Sequence, residues 1–192
     1  MKLFGPRDKS FVQVVEDRQS IRRFTQKNVE PEKLRKILEI TNKAPSAGDL
    51  QAYDIVVVRD PDVKKALMLA SLGQRFIETA PVDLVFLANE FRSGYKYGER
   101  GRKLYCVQDA TIATTYAHLA ADALGLGSVW VGAFNPTEIA RIVSASEFQI
   151  PIAILSIGYI AEKPRRTPRR ELDDLVCVVD QVGGPTRHFG KE

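Results

Sequence analysis

The chain has 192 residues, of which 44% are hydrophobic, and its formal net charge is +4. This length favours a single domain over residues 1–192. No apolar run reaches the roughly 18 residues of a membrane span, and the N-terminus lacks the apolar stretch of a signal peptide, so we expect a cytoplasmic protein without a membrane partner.

Cysteines and histidines are too few to suggest a metal site. Cys106 and Cys177 belong to no CxxC pair and predict neither a zinc site nor a disulfide scaffold. We expect both to be buried thiols. His118 and His188 are too isolated for a metal site or a catalytic triad, and His118 is expected in the core or a groove.

Helical and β-branched stretches alternate along the chain. Helices are predicted from Ser10, from about Pro31, over 61–71, over 107–124 and from Asn135. Strands are predicted over 54–58, 82–88, 128–132 and 152–160, with a short further candidate at 175–179. Residues 89–103 are polar and contain glycines, and predict a mobile connection or a loosely packed helix. The alternation is typical of an α/β or α+β sandwich.

Local residues mark several helix ends. Ser10 with Gln13, and Asn135 with Glu138, predict capping boxes. Gly125 and Gly127 predict the end of the long helix, whose apolar side is expected to carry the following residues: Ile112, Tyr116, Leu119, Ala120 and Ala123.

The motifs of several large enzyme classes are missing. There is no GxGxxG after a strand, no GxxxxGK[ST], no HExxH and no GxSxG. These gaps disfavour a Rossmann dehydrogenase, a P-loop enzyme, a zinc protease and an α/β-hydrolase.

Two basic segments are candidate anion sites. In an extended segment Arg18, Ser20 and Arg22 face one way because the strand period is two, and such donors suit a phosphate. Residues 163–170 contain five bases and no acid. An alternative is a nucleic-acid-binding arm at 165–170, which the modest net charge and the lack of a nucleic-acid motif disfavour.

Four segments together resemble the nitroreductase family of flavoproteins, and the resemblance extends over residues 12–176. The segments are Arg-Gln-Ser-Ile-Arg-Arg-Phe (18–24), the Ala-Pro-Ser loop (44–53), Gly-Leu-Gly and the strand after it (125–134), and Gly-Tyr-Ile-Ala-Glu-Lys-Pro followed by paired arginines (158–170). The sequence departs from the family's loop in two places. Asp49 replaces an Asn, and Ala52-Tyr53 replaces Pro-Trp, which leaves the ring contacts and the acceptor open.

The resemblance implies a fold and an assembly. The fold is α+β, an α/β/α sandwich whose central mixed, mainly antiparallel sheet is flanked by helices. The assembly is an intertwined homodimer in which the C-terminal tail, about residues 163–192, crosses to the partner subunit.

The resemblance also implies an FMN site. Arg18, Gln19 and Ser20 would hold the phosphate and ribityl chain, Arg169 or Arg170 would close on the phosphate, and Arg22 would lie at the N1/O2 edge of the ring. A backbone N–H of Gly132 or Ala133 would point to N5. The remaining expected contacts of the flavin are Pro45, Ser46, Asp49, Gln51 and Val131.

The implied activity is an NAD(P)H-dependent oxidoreductase. NADH or NADPH would give a hydride to flavin N5, and a small acceptor such as a nitroaromatic, a quinone or a flavin would take the electrons from the same face, with ping-pong kinetics. The flavin would carry the chemistry, so no side chain is expected to act as a catalytic acid or nucleophile. The alternative is reductive dehalogenation or other flavin chemistry on the same fold.

Overall fold

Seven α-helices and six strands make up the described part of the chain. The computed structural model describes residues 9–164, 166–179 and 181–184, and the backbone of 187–188. The helices are α1 (Phe11–Asp17), α2 (Pro31–Thr41), α3 (Pro61–Ala70), α4 (Phe76–Thr79), α5 (Glu90–Arg100), α6 (Cys106–Ala123) and α7 (Pro136–Ile142). The strands are β1 (Tyr53–Val58), β2 (Val82–Asn89), β3 (Gly127–Val131), β4 (Gln149–Gly158), β5 (Cys177–Val178) and β6 (Arg187–His188). The predicted helices and the four core strands are confirmed with small shifts at their ends.

Capping explains where the helices begin. The capping box of Ser10 and Gln13 is present at α1. At α7 the Asn135 side chain accepts from the backbone N–H groups of Thr137 and Glu138. The predicted second box is not formed there, because the Asn135 N–H donates to the Ala70 carbonyl at 2.8 Å. The Glu138 carboxylate accepts from Arg141 instead.

The central sheet has the order β1-β2-β4-β3, and each of its three ladders is antiparallel. On one face Leu84 and Phe86 belong to the core that α2 and α6 cover. On the other face Val85 and Leu87 pack with residues of α3, α4 and α7. This three-layer arrangement confirms the predicted α+β sandwich, and an isolated parallel bridge between Ser20 and Ser128 supplies the mixed component.

The longest helix, α6, packs on the sheet through small side chains rather than large ones. Its fully buried alanines are Ala110, Ala113, Ala117 and Ala121, spaced by three and four residues as one helix face requires. Of the residues predicted for its apolar side, Ala120 is buried in the core, Ile112 and Tyr116 pack against that core, and Leu119 is half-buried. The closest approach to the sheet is made by the alanines, because small side chains let a helix lie close to its neighbour.

Residues 89–103 are helical rather than a loose connection. The α5 helix passes through one π-helical turn, Gly101–Tyr105, directly into α6. A Cβ at Gly101 would lie 2.9 Å from the Tyr97 Cβ and closer still to the Ser93 carbonyl, so the turn needs a glycine there. Gly125, with φ of +74°, ends α6 as predicted, whereas Gly127 is the first residue of β3.

The described residues of the C-terminal tail are mostly exposed. A short 3-10 turn, Leu172–Asp174, precedes the two-stranded ribbon of β5 and β6. Of the strand predicted at 175–179, only Cys177 and Val178 are β-strand. Cys106 is buried, but Cys177 is exposed, because β5 lies outside the core. In the described ranges, no helix combines the length and apolarity that crossing a membrane requires.

Candidate functional site

The segment 18–24 lies along the edge of the sheet next to β3. The Ile21 N–H donates to the Ser128 carbonyl at 3.0 Å, and Phe24 bridges to Ile160. Ile21 and Phe24 are buried in a small cluster with Ala80 and Val129. These two apolar anchors hold the polar residues between them at the surface.

The polar residues of this segment meet the tail at a cavity of about 500 Å³, which we call the basic cavity. Its lining residues are Val15, Glu16, Arg18, Gln19, Ser20, Arg22, Arg166, Thr167 and Arg169. Arg18, Ser20 and Arg22 line this one cavity, and Gln19 between them lines it too, so the two-residue period alone does not account for the grouping. Arg169 joins them from the tail, and exposed Arg170 is not among the lining residues.

The basic cavity is suited to an anion with attached hydroxyl groups. Four guanidinium groups and a single carboxylate, Glu16, line it, and guanidinium groups bind phosphate through paired N–H donors. The buried Oε1 of Gln19 has no hydrogen-bond partner among the described residues. A buried acceptor of this kind needs a donor, such as an alcohol group of a bound ligand.

A buried histidine holds one of the arginines. Arg18 Nη1 lies 3.0 Å from His118 Nε2, and His118 Nδ1 lies 2.6 Å from Ser128 Oγ. Burial and the neighbouring guanidinium lower the pKa of His118 to about 4. His118 is therefore a neutral core residue, consistent with its expected burial, and links the sheet to the basic cavity.

Glu162 fixes the backbone of the same segment. Its Oε1 accepts from the N–H groups of Arg22 at 2.6 Å and Arg23 at 3.2 Å. This carboxylate is the Glu of the 158–164 motif, to which sequence reasoning assigned no role. Arg166 was also missed as a cavity residue, although it belongs to the basic run. That run lines the basic cavity through Arg166 and Arg169, while Arg165 lies outside the described residues.

The Ala-Pro-Ser loop lines a second cavity, of about 560 Å³, which we call the apolar groove. Its lining residues are Pro45, Ser46, Ala47, Tyr105, Val107, Gln108, Asp109, Thr111 and Ile112. The groove shares no lining residue with the basic cavity. On α6, Asp109 of the groove and His118, which contacts Arg18 of the basic cavity, are separated by nine residues, or about 14 Å along the helix axis.

The backbone of this loop is unusual at three positions. Gly48, Asp49 and Gln51 have φ values of +60°, +58° and +47°, a region that costs energy for residues with a side chain. The 2% exposed Asp109 compensates by accepting from the N–H groups of Ala47 and Ala52 at 2.9 and 3.2 Å. Its two oxygens thus hold both ends of the strained turn.

Arg92 of α5 binds two carbonyl groups at the end of this loop. Arg92 Nη1 donates to the carbonyls of Gln51 and Tyr53 at 2.6 and 2.9 Å, and its Nη2 donates to Asp54. The Gln51 side chain donates to Asn42, and Asp49 is exposed. The loop therefore presents Asp49 to solvent and turns the Gln51 amide toward the end of α2.

The last predicted contacts lie where β3 ends. Val131 is buried in the core, whereas Gly132 and Ala133 are exposed. The Ala133 carbonyl accepts from Gln74 at 3.0 Å, which steadies this turn before α7.

The buried His118–Ser128 pair is not arranged for nucleophilic catalysis. The Arg18 guanidinium can only donate, so Nε2 must accept and Nδ1 carries the proton toward Ser128. An activated serine needs the opposite, an unprotonated nitrogen that takes its proton. Ser128 is also 3% exposed. The geometry therefore suits ligand binding and not proton abstraction.

Known proteins of similar sequence identify the family of this chain. The nitroreductase family model matches residues 15–75 and 68–159. The chain is 34% identical over 186 residues to the NADH dehydrogenase of Thermus thermophilus, a match that covers 83% of this chain and 91% of that protein. It is 32% identical over 167 residues to the FMN reductase (NAD(P)H) of Bacillus subtilis, covering 80% and 67% of the two chains.

Solved structures have the same fold. NfrA2 of B. megaterium superposes with a TM-score of 0.82 at 26% identity, covering 86% of this chain and 72% of that one. Nitroreductase A of Vibrio parahaemolyticus superposes with a TM-score of 0.82 at 25% identity, covering 90% and 76%. With the family model matched over more than half its length, this chain belongs to the nitroreductase family.

Proposed function

We propose that this chain is an FMN-dependent oxidoreductase that uses NADH or NADPH and reduces a small acceptor. Relatives carry the names FMN reductase, NADH dehydrogenase and NADPH nitroreductase, which supports this class of activity. The observation that carries the proposal is the basic cavity, where arginines from both ends of the chain surround a space suited to a phosphate.

The residues at the basic cavity fit the phosphate and ribityl part of FMN. Arg18 and Arg169 would bind the phosphate together with the Ser20 hydroxyl, and Arg166 adds a further cation. The orphaned Gln19 Oε1 would accept from a ribityl hydroxyl. Charge-assisted hydrogen bonds are worth about 1.5–3 kcal/mol each, so three of them are enough for tight retention after ordering costs.

Other residues would orient the ring. Arg22 would lie at the N1/O2 edge and stabilise the negative charge that collects there on reduction, since a fixed cation needs no reorganisation. The backbone at Val131, Gly132 and Ala133 would border N5. The loop contacts would come from the following residues: Pro45, Ser46, Asp49 and Gln51.

When bound, FMN would take a hydride from the nicotinamide and pass two electrons to a nitroaromatic, a quinone or a free flavin. The chain would supply no acid or nucleophile. Its residues would exclude water from one ring face and let donor and acceptor use the other in turn, which predicts ping-pong kinetics.

We further propose a homodimer in which the single domain of residues 1–192 sends its tail, about 163–192, to the partner subunit. Apolar side chains that a dimer could cover are exposed on α1 and the tail, namely Phe11, Val12, Val15, Leu172, Leu175 and Val179. The basic cavity and the apolar groove share no lining residue, and in the proposed dimer the phosphate site of one subunit and the loop of its partner would flank one ring.

A titration tests the proposal directly. The purified chain is titrated with FMN, flavin fluorescence is followed, and the visible spectrum is recorded before and after anaerobic addition of NADH or NADPH. We expect quenching at a stoichiometric endpoint and bleaching of the flavin bands. A protein that leaves FMN fluorescence unchanged at excess chain would contradict the proposal.

A further inference from the structure

The side chain of His118 is buried in α6 between two partners from distant parts of the chain. It is 8% exposed and contacts Arg18 through Nε2 and Ser128 through Nδ1. Arg18 is the first residue of the segment 18–24 at the sheet edge, and Ser128 lies in β3. The imidazole therefore joins a helix, a strand and the segment that lines the basic cavity.

The direction of both hydrogen bonds follows from Arg18. A guanidinium has five N–H donors and no acceptor, so Nε2 must be the unprotonated nitrogen and Nδ1 must donate to Ser128 Oγ. The hydrogen bond from Nδ1 to Ser128 therefore favours the tautomer in which Nε2 is free to accept from Arg18. A chain of two hydrogen bonds runs from the sheet to the Arg18 guanidinium.

An arginine held in this way has lost its freedom before a ligand arrives. A free arginine side chain has many rotamers, and fixing them is an ordering cost of binding unless the side chain is already held in place. His118 occupies one of the five N–H groups and leaves the others available to the basic cavity, which Arg18 lines.

We propose that His118 is a positioning residue that orients Arg18 for the phosphate of the cofactor, with Ser128 setting its tautomer. This inference rests on the proposed function. It assigns to His118 no contact with the flavin ring and no role in electron transfer. The residue acts through Arg18 alone, so its effect must vanish when either Arg18 or the ligand phosphate is absent.

Other charged groups near this chain of bonds do not replace it. The neighbouring cavity between the segment and α6 is also lined by the charged residues Lys9, Asp17, Asp122, Glu162, Lys163 and Arg166. Lys9 pairs with both Asp17 and Asp122, and Arg166 approaches Asp17 at 3.8 Å. The hydrogen bond recorded for the Arg18 guanidinium among the described residues is the one to His118.

The test compares FMN with riboflavin, which lacks the phosphate. His118→Asn keeps a donor near the Nδ1 position but is too short to reach Arg18, whereas His118→Gln reaches Arg18 with an acceptor oxygen. Thr114→Val is the matched control, because Thr114 is buried one turn earlier on α6 and bonds only within the helix, to the Ala110 carbonyl. Dissociation constants are measured by quenching of flavin fluorescence.

We expect His118→Asn to weaken FMN binding about tenfold, the loss of one charge-assisted hydrogen bond, and to change riboflavin binding less than twofold. His118→Gln is expected to recover most of the loss, and Thr114→Val to leave both constants unchanged. In the Arg18→Ala background, His118→Asn is expected to have no further effect. Ser128→Ala, a smaller change, should weaken FMN binding about threefold and carries the test if His118→Asn does not fold.

The outcomes separate this inference from the proposed function. If the wild-type chain does not bind FMN, the proposed function itself fails. If the wild type binds FMN but the His118 and Ser128 variants bind it equally well, only the positioning role is overturned. Equal losses for FMN and riboflavin, or additivity with Arg18→Ala, would also overturn it by showing a general structural role.

Discussion

Glu162 Oε1 accepts a hydrogen bond from the backbone N–H of Arg22 at 2.6 Å. A carboxylate from the motif at 158–164 thus fixes the backbone of the segment 18–24, whose polar residues line the basic cavity. The bond holds the Arg22 backbone and so positions its side chain indirectly. It also explains why the two motifs, distant in sequence, belong to one site.

Replacing this carboxylate is expected to weaken flavin binding through the backbone. Glu162→Gln keeps an acceptor of the same shape but loses the charge, so we expect a two- to fivefold higher Kd for FMN, because charge-assisted bonds are about twice as strong as neutral ones. Glu162→Ala should weaken binding more. Fluorescence titration measures both, and a Glu162→Ala variant that binds FMN like wild type would contradict this role.

Arg18→Ala is expected to lower FMN occupancy more than turnover. The guanidinium lies at the phosphate end of the proposed site, away from the reacting ring, so its loss removes about 1.5–3 kcal/mol of binding and leaves the chemistry unchanged. The flavin content of the purified variant and the rate per bound flavin measure the two effects. Normal affinity for FMN would refute the assignment of the phosphate site.

Asp109→Asn is expected to loosen the loop at 45–52. An amide has one acceptor oxygen where the carboxylate has two, so one of the N–H groups of Ala47 and Ala52 loses its partner. An unsatisfied buried donor costs about 1–3 kcal/mol. Urea unfolding should show this loss, and hydrogen exchange should be faster at these two amides.

The control for this variant is Asp122→Asn, which removes a surface ion pair with Lys9 from the same helix. Surface pairs contribute about 0–1 kcal/mol, so the control should unfold nearly like wild type. A similar loss in both variants would mean that Asp109 has no special role at the loop.

The stability of the protein should fall as pH rises because of Asp83. Burial raises the pKa of Asp83 to about 8; its Oδ1 accepts from Ser156 and its Oδ2 has no partner among the described residues. The unfolded carboxyl titrates near 3.9, so between pH 4 and 8 the folded state holds the extra proton. The free energy of unfolding therefore decreases across this window.

Asp83→Asn removes this titration and isolates its contribution. We expect the wild type to lose at least ~1.4 kcal/mol relative to the variant between pH 5 and pH 8, the equivalent of one pKa unit. Urea unfolding of both proteins at the two pH values gives the difference. Parallel pH dependences in wild type and variant would show that Asp83 does not titrate in this range.

Tyr97 is expected to influence which acceptor is reduced. Its hydroxyl lies against Gly48, and its ring packs edge-on to Tyr105, a lining residue of the apolar groove, with centroids 5.2 Å apart. Tyr97→Ala should change the ratio of kcat/KM values for a nitroaromatic and a quinone by about fivefold or more, because a freed Tyr105 would change acceptor contacts by roughly 1 kcal/mol. Tyr95→Ala is the control, since Tyr95 is 88% exposed, and equal ratios in all three proteins would reject this role.

Local features were predictable from the residues themselves. The Ser10 capping box, the helix start near Pro31 and the β-branched strands depend on neighbours within four residues, and all are present in the structure. The second capping box is absent because the Asn135 N–H donates to the Ala70 carbonyl, a partner from α3 that the local sequence does not reveal. The apolar side predicted for α6 includes the buried Ala120 and the half-buried Ile112 and Tyr116, whereas the fully buried alanines Ala113 and Ala117 were not singled out because hydrophobicity marks large side chains.

Long-range partners were not predictable in the same way. Nothing local to Asp109 indicates that its two oxygens hold the loop at 47–52, and nothing local to Glu162 indicates that it binds the Arg22 backbone. Arg169 rather than Arg170 lines the basic cavity because the path of the tail decides which side chain turns inward.

By itself the sequence determined the order of the elements, the family and the motifs that bear the expected phosphate and flavin contacts, because propensity, capping and motif spacing are properties of neighbouring residues. Only the tertiary structure decided that Arg18 is bound by a neutral, buried His118 and that the strained loop is held by Asp109 and Arg92. These contacts join residues far apart in the chain, and their geometry exists only after the helices have packed on the sheet.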